Sequence, residues 1–178
     1  MPPDTVLHFW FKEITPDQWW KVDPDFDGLI AERFGALHAS AAQGECFTWR
    51  GTPQGRLAEV IVLDQFSRNL HRGKAGAFAC DAMALALAQE AVAAAVDLAL
   101  PVAERAFLYM PYMHSESRLI HVEAERLFAE RAPTNLDFEL RHKAIVDRFG
   151  RYPHRNQALG RESTAEELAF LQEPGSRF

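Results

Sequence analysis

A helix-start signal recurs along this sequence and constrains its fold more than any other feature. The pairs Thr15-Pro16, Asp23-Pro24 and Thr52-Pro53 each place a side-chain acceptor directly before a proline. The acceptor can cap the free N–H groups of a first helical turn, and proline has no N–H that would need a partner there. Strand signals are scarce by comparison. The sequence therefore predicts an all-α protein.

The spacing of apolar residues predicts where several helices run. Apolar residues recur every three or four positions from Asp25 to Ala42, which predicts an amphipathic helix that ends near Gly44. Asn135 to Phe149 shows the same spacing, with Gly150 as a natural end. A short helix over 164–171 is predicted to close the chain, with Ser163 and Glu166 at the spacing of a capping box.

Three further patterns predict how helices are placed. The nearly all-apolar segment from Phe78 to Val96 is expected in the middle of the fold. A helix that opens at Pro101 is expected to break or bend at Pro111. Phe138 is assigned to the inward stripe of its helix, together with Ile145 and Phe149.

Short connections between these helices favour antiparallel neighbours. We expect helical hairpins packed as a compact right-handed array like that of tetratricopeptide repeats, or an irregular bundle, because no strict 34-residue period is present. A length of 178 residues is near the usual size of one domain, so residues 1–178 are predicted to form a single domain.

Charge and composition exclude several classes of function. A net charge of −6 opposes binding to nucleic acid or to an anionic membrane surface. The unbroken apolar runs fall well short of the roughly 20 residues that cross a bilayer, and no leader pattern opens the chain. Cys46 and Cys80 lack the spacing of a zinc site or a disulfide framework. We expect a soluble, cytoplasmic protein with reduced thiols and with neither metal nor cofactor.

Three long strings of sequence carry a family resemblance. They are VLDQFSRNLHRG (62–73), FLYMPYMHSE (107–116) and RFGRYPHRNQALGRESTAEELAFL (148–171), with VLHFWF near the start and Arg33-Phe34 adding to them. Over almost its whole length the chain resembles a bacterial family catalogued as domain of unknown function 924. The resemblance implies an all-helical fold similar to tetratricopeptide repeats, and it implies no activity. The family motifs map onto Asp64, Gln65, Arg68, Asn69, His114, Ser115, Glu116, Arg148, Arg151, His154, Arg155 and Asn156.

Those motif residues also form the strongest candidate site on chemical grounds. Gln65, Arg68 and Asn69 share one helix edge, because positions three and four apart are neighbours. Arginine donors suit a carboxylate or phosphate, and His and Glu carry protons. The candidate ligand-binding residues are Gln65, Arg68, Asn69, His114, Glu116, Arg148, Arg151, His154, Arg155 and Asn156. We expect a non-catalytic protein that binds a small anionic molecule or a peptide end.

Two other interpretations of these residues stay open. An enzyme would use His114, Glu116 and His154 in acid–base chemistry on an anionic substrate. A purely structural account pairs Asp64 with Arg68 one turn away and Glu116 with an arginine from the last helices.

Two shorter motifs have ordinary structural explanations. HRGKAG (71–76) places basic residues and glycines before a helix, where an anion can bind, but it lacks P-loop spacing and is typical of a turn. DPDFDG (23–28) copies half of a calcium loop, yet Phe34 stands where the bidentate Glu would be needed. Asp23 as a helix cap explains that motif without a metal.

Aromatic residues are concentrated in the first third of the chain, and most are expected in the core. Trp19 and Trp20 are adjacent and cannot point the same way on a helix. One of the two indoles is therefore expected on the surface, where it marks a protein partner or a homodimer contact as an alternative to a small ligand.

Overall fold

The structure is a computed structural model that describes residues 1–176, and every regular element in that range is helical. The α-helices are α1 (Pro3–His8), α2 (Pro24–Ala42), α3 (Pro53–Ile61), α4 (Ser67–Leu70), α5 (Asp81–Ala93), α6 (Val102–Met113), α7 (Arg118–Arg131), α8 (Leu136–Phe149) and α9 (Ala165–Phe170). Short 3₁₀ turns join several of them. The prediction of an all-α fold is confirmed, whereas the arrangement like tetratricopeptide repeats stays a prediction.

Side-chain caps begin the helices where the sequence predicts them. Asp23 accepts hydrogen bonds from the N–H groups of Asp25 and Phe26 at 3.1 and 3.3 Å, which starts α2. Thr52 accepts from the N–H of Gly55 at 3.0 Å and starts α3. These caps satisfy backbone donors that have no partner inside the helix.

The capping box at the last helix lies one residue later than predicted. Thr164 and Glu167 form it at the start of α9, rather than Ser163 and Glu166. The hydroxyl of Ser163 instead accepts a hydrogen bond from Asn156 at 3.0 Å, so it serves the neighbouring loop.

A widened helical turn connects α3 to α4. Residues Val62–Phe66 form a π-helical turn, and α3, this turn and α4 make one helical run over 53–70. All five residues of the turn are buried, including Asp64 and Gln65. The turn therefore carries two polar side chains into the interior, next to a well-packed aromatic core in which the Phe34 ring lies 4.8 Å from Phe9 and 4.9 Å from Phe66.

The prediction of a central location for the apolar segment at 78–96 is wrong. Its regular helix, α5, buries only Ala84, Ala88 and Ala91 fully, and packs on α3 and α6 along that one face. Alanine side chains are small enough to sit on a surface at little cost, so an alanine-rich sequence does not require full burial. By length and hydropathy alone Ala75–Ala93 could cross a membrane, with 28% of its most apolar window buried, but a single helix of this kind is weak support for a membrane span.

Helix α6 continues through Pro111 to Met113 and is not broken there. Residues 106–113 are all buried, so packing holds the turn even though proline removes one backbone donor. The C-terminal end of α6 thereby reaches His114, at the edge of the site described next.

Candidate functional site

One cavity of about 540 Å³ brings together residues from distant parts of the chain. Its wall is built by the segment over 19–22, the helical run over 53–70, the loop that follows, the end of α6, the first half of α8 and the loop over 152–158. The lining contains four cations, namely Lys21, Arg68, Arg72 and Arg155, and three imidazoles, namely His114, His142 and His154. No Asp or Glu is among its described lining residues. A cationic wall is unusual in a chain whose net charge is −6.

Two of these arginines are held in place by one carboxylate behind the wall. Arg68 forms a bidentate pair with Asp81, at 3.0 and 3.1 Å, and Arg155 reaches the same carboxylate at 3.1 Å. Arg155 also donates to the carbonyl of His114 at 2.9 Å. Its guanidinium lies 4.6 Å from the ring centres of both Phe78 and Tyr152, a favourable position for a cation.

Asp64 is fully buried and positions His114. Its Oδ1 lies 2.8 Å from Nδ1 of His114 and 3.3 Å from Nη1 of Arg68, and its Oδ2 accepts from Gln65 at 2.5 Å. Burial alone would raise the pKa of Asp64, but the charges of Arg68 and His114 together lower it. The carboxylate therefore stays ionised below the surface of the cavity.

His114 presents its second ring nitrogen to the cavity. Asp64 occupies Nδ1, and within residues 1–176 no side chain or carbonyl hydrogen-bonds to Nε2. Burial lowers the pKa of His114, while Asp64 partly opposes that shift. A neutral imidazole held by a carboxylate in this way can accept a proton at Nε2 or, once protonated, donate to an anion.

The outer wall carries more solvent-exposed donors. Arg72 makes a bidentate pair with Asp27 at 2.6 and 2.8 Å, and Asn69 donates to the same carboxylate at 2.8 Å. Lys21 lies 3.5 Å from Asp23. Asp27 and Asp23 contact these cations but are not themselves lining residues of the cavity.

A fully buried network supports the floor of the cavity. The Tyr152 hydroxyl donates to the Met113 carbonyl at 2.6 Å and lies 3.1 Å from Nε2 of His121, whose Nδ1 is 2.7 Å from Glu139. Burial raises the pKa of Glu139 and of Tyr152. This network fixes Tyr152, against which Arg155 rests.

Six of the ten predicted ligand-binding residues line the cavity: Gln65, Arg68, Asn69, His114, His154 and Arg155. The prediction that the first three share one helix edge is confirmed. These residues come from three separate strings of sequence and meet only in the folded chain.

The other four predicted residues lie outside the cavity lining and make pairs elsewhere. Glu116 pairs with Arg161 at 2.6 Å and caps the N–H of Tyr152. Arg148 pairs with Glu166 at the surface. Arg151 pairs with Glu167, and Asn156 bonds to Ser163, Arg161 and Glu167. These contacts organise the C-terminal segment around α9. Glu116 pairs with an arginine, as the structural account expected, but Arg161 lies in the loop before α9 and not in one of the last helices.

Several lining residues were not among the predicted site residues. Arg72 belongs to the HRGKAG turn, and Trp20 to the aromatic pair whose exposed member was expected, so both had a sequence signal. The assignment of Phe138 to the inward stripe of α8 is wrong: the ring is 52% exposed and lies on the rim of the cavity. It lies in the first turn of α8, next to Glu139, which is buried.

Comparison with known proteins places the chain among uncharacterised proteins. The model of the family described as bacterial protein of unknown function (DUF924) matches residues 6–175. A solved structure of a protein of unknown function, ATU0120 from Agrobacterium tumefaciens, is 36% identical, with 96% of each chain covered and a TM-score of 0.90. A search of curated proteins finds no match.

Proposed function

Since the chain belongs to the DUF924 family of bacterial proteins of unknown function, we propose from the cavity itself that it binds a small anionic molecule there. The observation that carries this proposal is the distribution of charge in the cavity. Within residues 1–176, four cations and no carboxylate line it, in a protein with an excess of acidic residues. A cavity lined by one sign of charge raises the local concentration of the opposite sign.

The donors are already fixed before any ligand arrives. Arg68 and Arg155 are both clamped by Asp81, and His114 is held by Asp64. Side chains that are ordered in advance lose little conformational freedom on binding, which favours affinity. A volume of about 540 Å³ is within the usual range for a small-molecule site.

The proposal is tested by titrating the protein with citrate, and separately with phosphate, in an isothermal calorimeter. Binding is expected to weaken with added salt, since the attraction is between charges. Arg72→Gln removes a partly exposed cation from the lining and is expected to weaken binding about fivefold, the equivalent of roughly 1 kcal/mol for a partly solvated charge.

Arg148→Gln is the matched control for this test. Arg148 is also a half-exposed arginine paired with a carboxylate, but it lies outside the cavity. Its replacement is expected to leave citrate affinity unchanged. The proposal fails if neither anion binds, or if Arg148→Gln weakens binding as much as Arg72→Gln.

An acid–base enzyme is the second candidate, and the contact between Asp64 and His114 favours it. The carboxylate on Nδ1 directs Nε2 to the cavity, as a general base requires. The described lining contains no Ser, Thr or Cys, so the base would act on water or on the ligand itself. This candidate would be established by turnover of an anionic substrate that is lost in His114→Gln while binding remains. Of the other two predicted acid–base residues, Glu116 lies outside the lining and His154 lies within it.

We also propose a cytoplasmic location. Cys46 and Cys80 are buried free thiols, which suits a reducing compartment.

A homodimer or another protein partner remains a prediction, and sedimentation at high protein concentration tests the dimer.

A further inference from the structure

Two exposed aromatic rings stand on the rim of the cavity. Trp20 is 58% exposed and Phe138 is 52% exposed, and both belong to the lining. Among the largely exposed hydrophobic residues within 1–176, only one other is aromatic, Phe47, and it lies away from the cavity. Exposed rings gathered at a cavity mouth need a physical explanation, because leaving them in water is unfavourable.

Both rim rings contact neighbouring groups on part of their surface. Trp20 lies parallel to Phe107, with centroids 6.0 Å apart and an angle of 7°, and its centroid lies 6.1 Å from that of Trp19. Phe138 has the guanidinium of Arg141 at 5.8 Å from its ring centre. Both rings keep more than half of their surface exposed.

The deeper aromatic rings of the cavity are already covered. The Phe78 ring has the guanidiniums of Arg155 and Arg68 at 4.6 and 5.8 Å, and Tyr152 also packs on Arg155. The two more buried cations, Arg68 and Arg155, therefore cover the inner rings, whereas the exposed rings of the lining are Trp20 and Phe138.

The cations deep in the cavity and the exposed aromatic rings at its rim indicate the chemical class of the ligand. We infer that the ligand is an aromatic acid, a planar ring system that stacks at the rim on Trp20 or Phe138 and directs its anionic group inward to the cations. An aromatic face attracts another flat ring more strongly than a saturated one, since stacked rings make close, offset contact. The inference rests on the proposed function and narrows its ligand class.

Three probes of nearly the same carbon skeleton separate the contribution of the aromatic ring to binding affinity from the contribution of the charge. Naphthoate carries both the aromatic ring and the charge, naphthamide keeps the ring without the charge, and decahydronaphthoate keeps the charge without the aromatic ring. Each is titrated into the intact protein, with heat as the readout. Naphthoate is expected to bind at least about fivefold more tightly than decahydronaphthoate, the lower bound for one stacking contact. It is also expected to bind about fivefold more tightly than naphthamide, the equivalent of roughly 1 kcal/mol for a partly solvated charge.

Variants of the rim residues show where the aromatic ring of the ligand binds. Trp20→Ala and Phe138→Ala remove exposed rings that the fold does not bury, so the variants are expected to fold. At least one of them should weaken naphthoate binding by about fivefold or more while leaving decahydronaphthoate affinity nearly unchanged. Phe47→Ala removes an equally exposed ring away from the cavity and is expected to change neither affinity.

The outcomes distinguish the two proposals. If decahydronaphthoate binds as tightly as naphthoate, if neither rim variant has an effect beyond that of Phe47→Ala, or if naphthoate does not bind while citrate or phosphate does, the aromatic ligand is refuted and the anion site stands. If naphthamide matches naphthoate, or if neither citrate nor phosphate binds, the anion site itself is refuted.

Discussion

At the level of single residues the cavity depends on Asp64, a carboxylate with no exposed surface. It faces His114 and Arg68 together, and Gln65 completes its hydrogen bonds. A buried charge is tolerable only when such partners surround it, so removing the carboxylate should disturb the stability of the whole protein as well as the site.

Asp64→Asn is expected to lower the free energy of unfolding by about 3 to 5 kcal/mol, because it leaves the Arg68 charge partly uncompensated. Urea denaturation measures the change. Asp147→Asn is the control, since Asp147 pairs with Lys143 at the surface and little change is expected there. Equal, small effects for the two variants would mean that Asp64 has no special structural role.

His114 predicts a dependence of anion binding on pH. Its pKa is lowered in the free protein, and an anion beside Nε2 would favour the protonated ring. Sulfate affinity should therefore increase from about pH 7.5 to about pH 5.5, the range around the ordinary histidine pKa, while sulfate keeps its own charge. His114→Gln should remove most of this increase in calorimetric titrations. A pH dependence that persists unchanged in the variant would assign it to another group.

Many site residues could be predicted from the sequence, but their proximity in the folded protein could not. Asp64 and His114 are 50 positions apart, and no periodicity relates them. Gln65, Arg68 and Asn69 were predictable as one edge because helical spacing alone places them together. The roles of Glu116 and Arg148 were ambiguous in sequence, since an arginine or glutamate at a helix end serves a ligand or a surface pair equally well.

At the level of elements, the π-helical turn over 62–66 matters most for the site. Widened turns are rare in helices and frequent at functional sites. Here the turn interrupts the regular spacing just where Asp64 and Gln65 enter the interior. Apolar periodicity predicts a helix through this region, but it carries no signal for a π-helical turn. The burial of Asp64 and Gln65 could therefore be seen only in the structure.

Two glycines test the account of helix geometry in opposite directions. Gly150 ends α8 with φ 71°, a left-handed conformation that alanine adopts with strain, so Gly150→Ala should cost about 1 kcal/mol of stability. Gly28 lies inside α2 with open space around its Cβ position, so Gly28→Ala should add up to about 1 kcal/mol. Urea midpoints that shift in the same direction for both variants would contradict the helix boundaries.

At the level of the whole molecule, an acidic protein places four of its 19 lysine and arginine residues in the lining of one cavity. A net charge of −6 contains no information on where the individual charges lie. In the fold, Asp64, Asp81 and Asp27 bond to lining residues but do not line the cavity themselves. The all-α class could be predicted because caps and periodicity act locally, whereas the cavity arises from contacts between distant segments.

Buried imidazoles make global stability depend on pH. Burial lowers the pKa of His142 and of His154 to about 3, whereas an unfolded histidine has a pKa of about 6.5. The unfolded chain therefore binds protons that the folded chain does not, and stability should fall as pH drops below about 6.5, by roughly 1.4 kcal/mol per pH unit for each group.

His142→Gln should reduce this slope in urea denaturation between about pH 6.5 and about pH 5. His8→Gln is the control because His8 is exposed, and it should leave the slope unchanged. A slope unaffected by His142→Gln would show that this ring titrates normally in the folded protein.

A crystal soaked in selenate shows whether the cavity holds an anion, because selenium is located by its anomalous scattering. We expect a selenate ion inside the cavity, within hydrogen-bond distance of Arg68 or of Nε2 of His114. Selenate found only on the outer surface, with water alone beside these residues, would contradict this expectation.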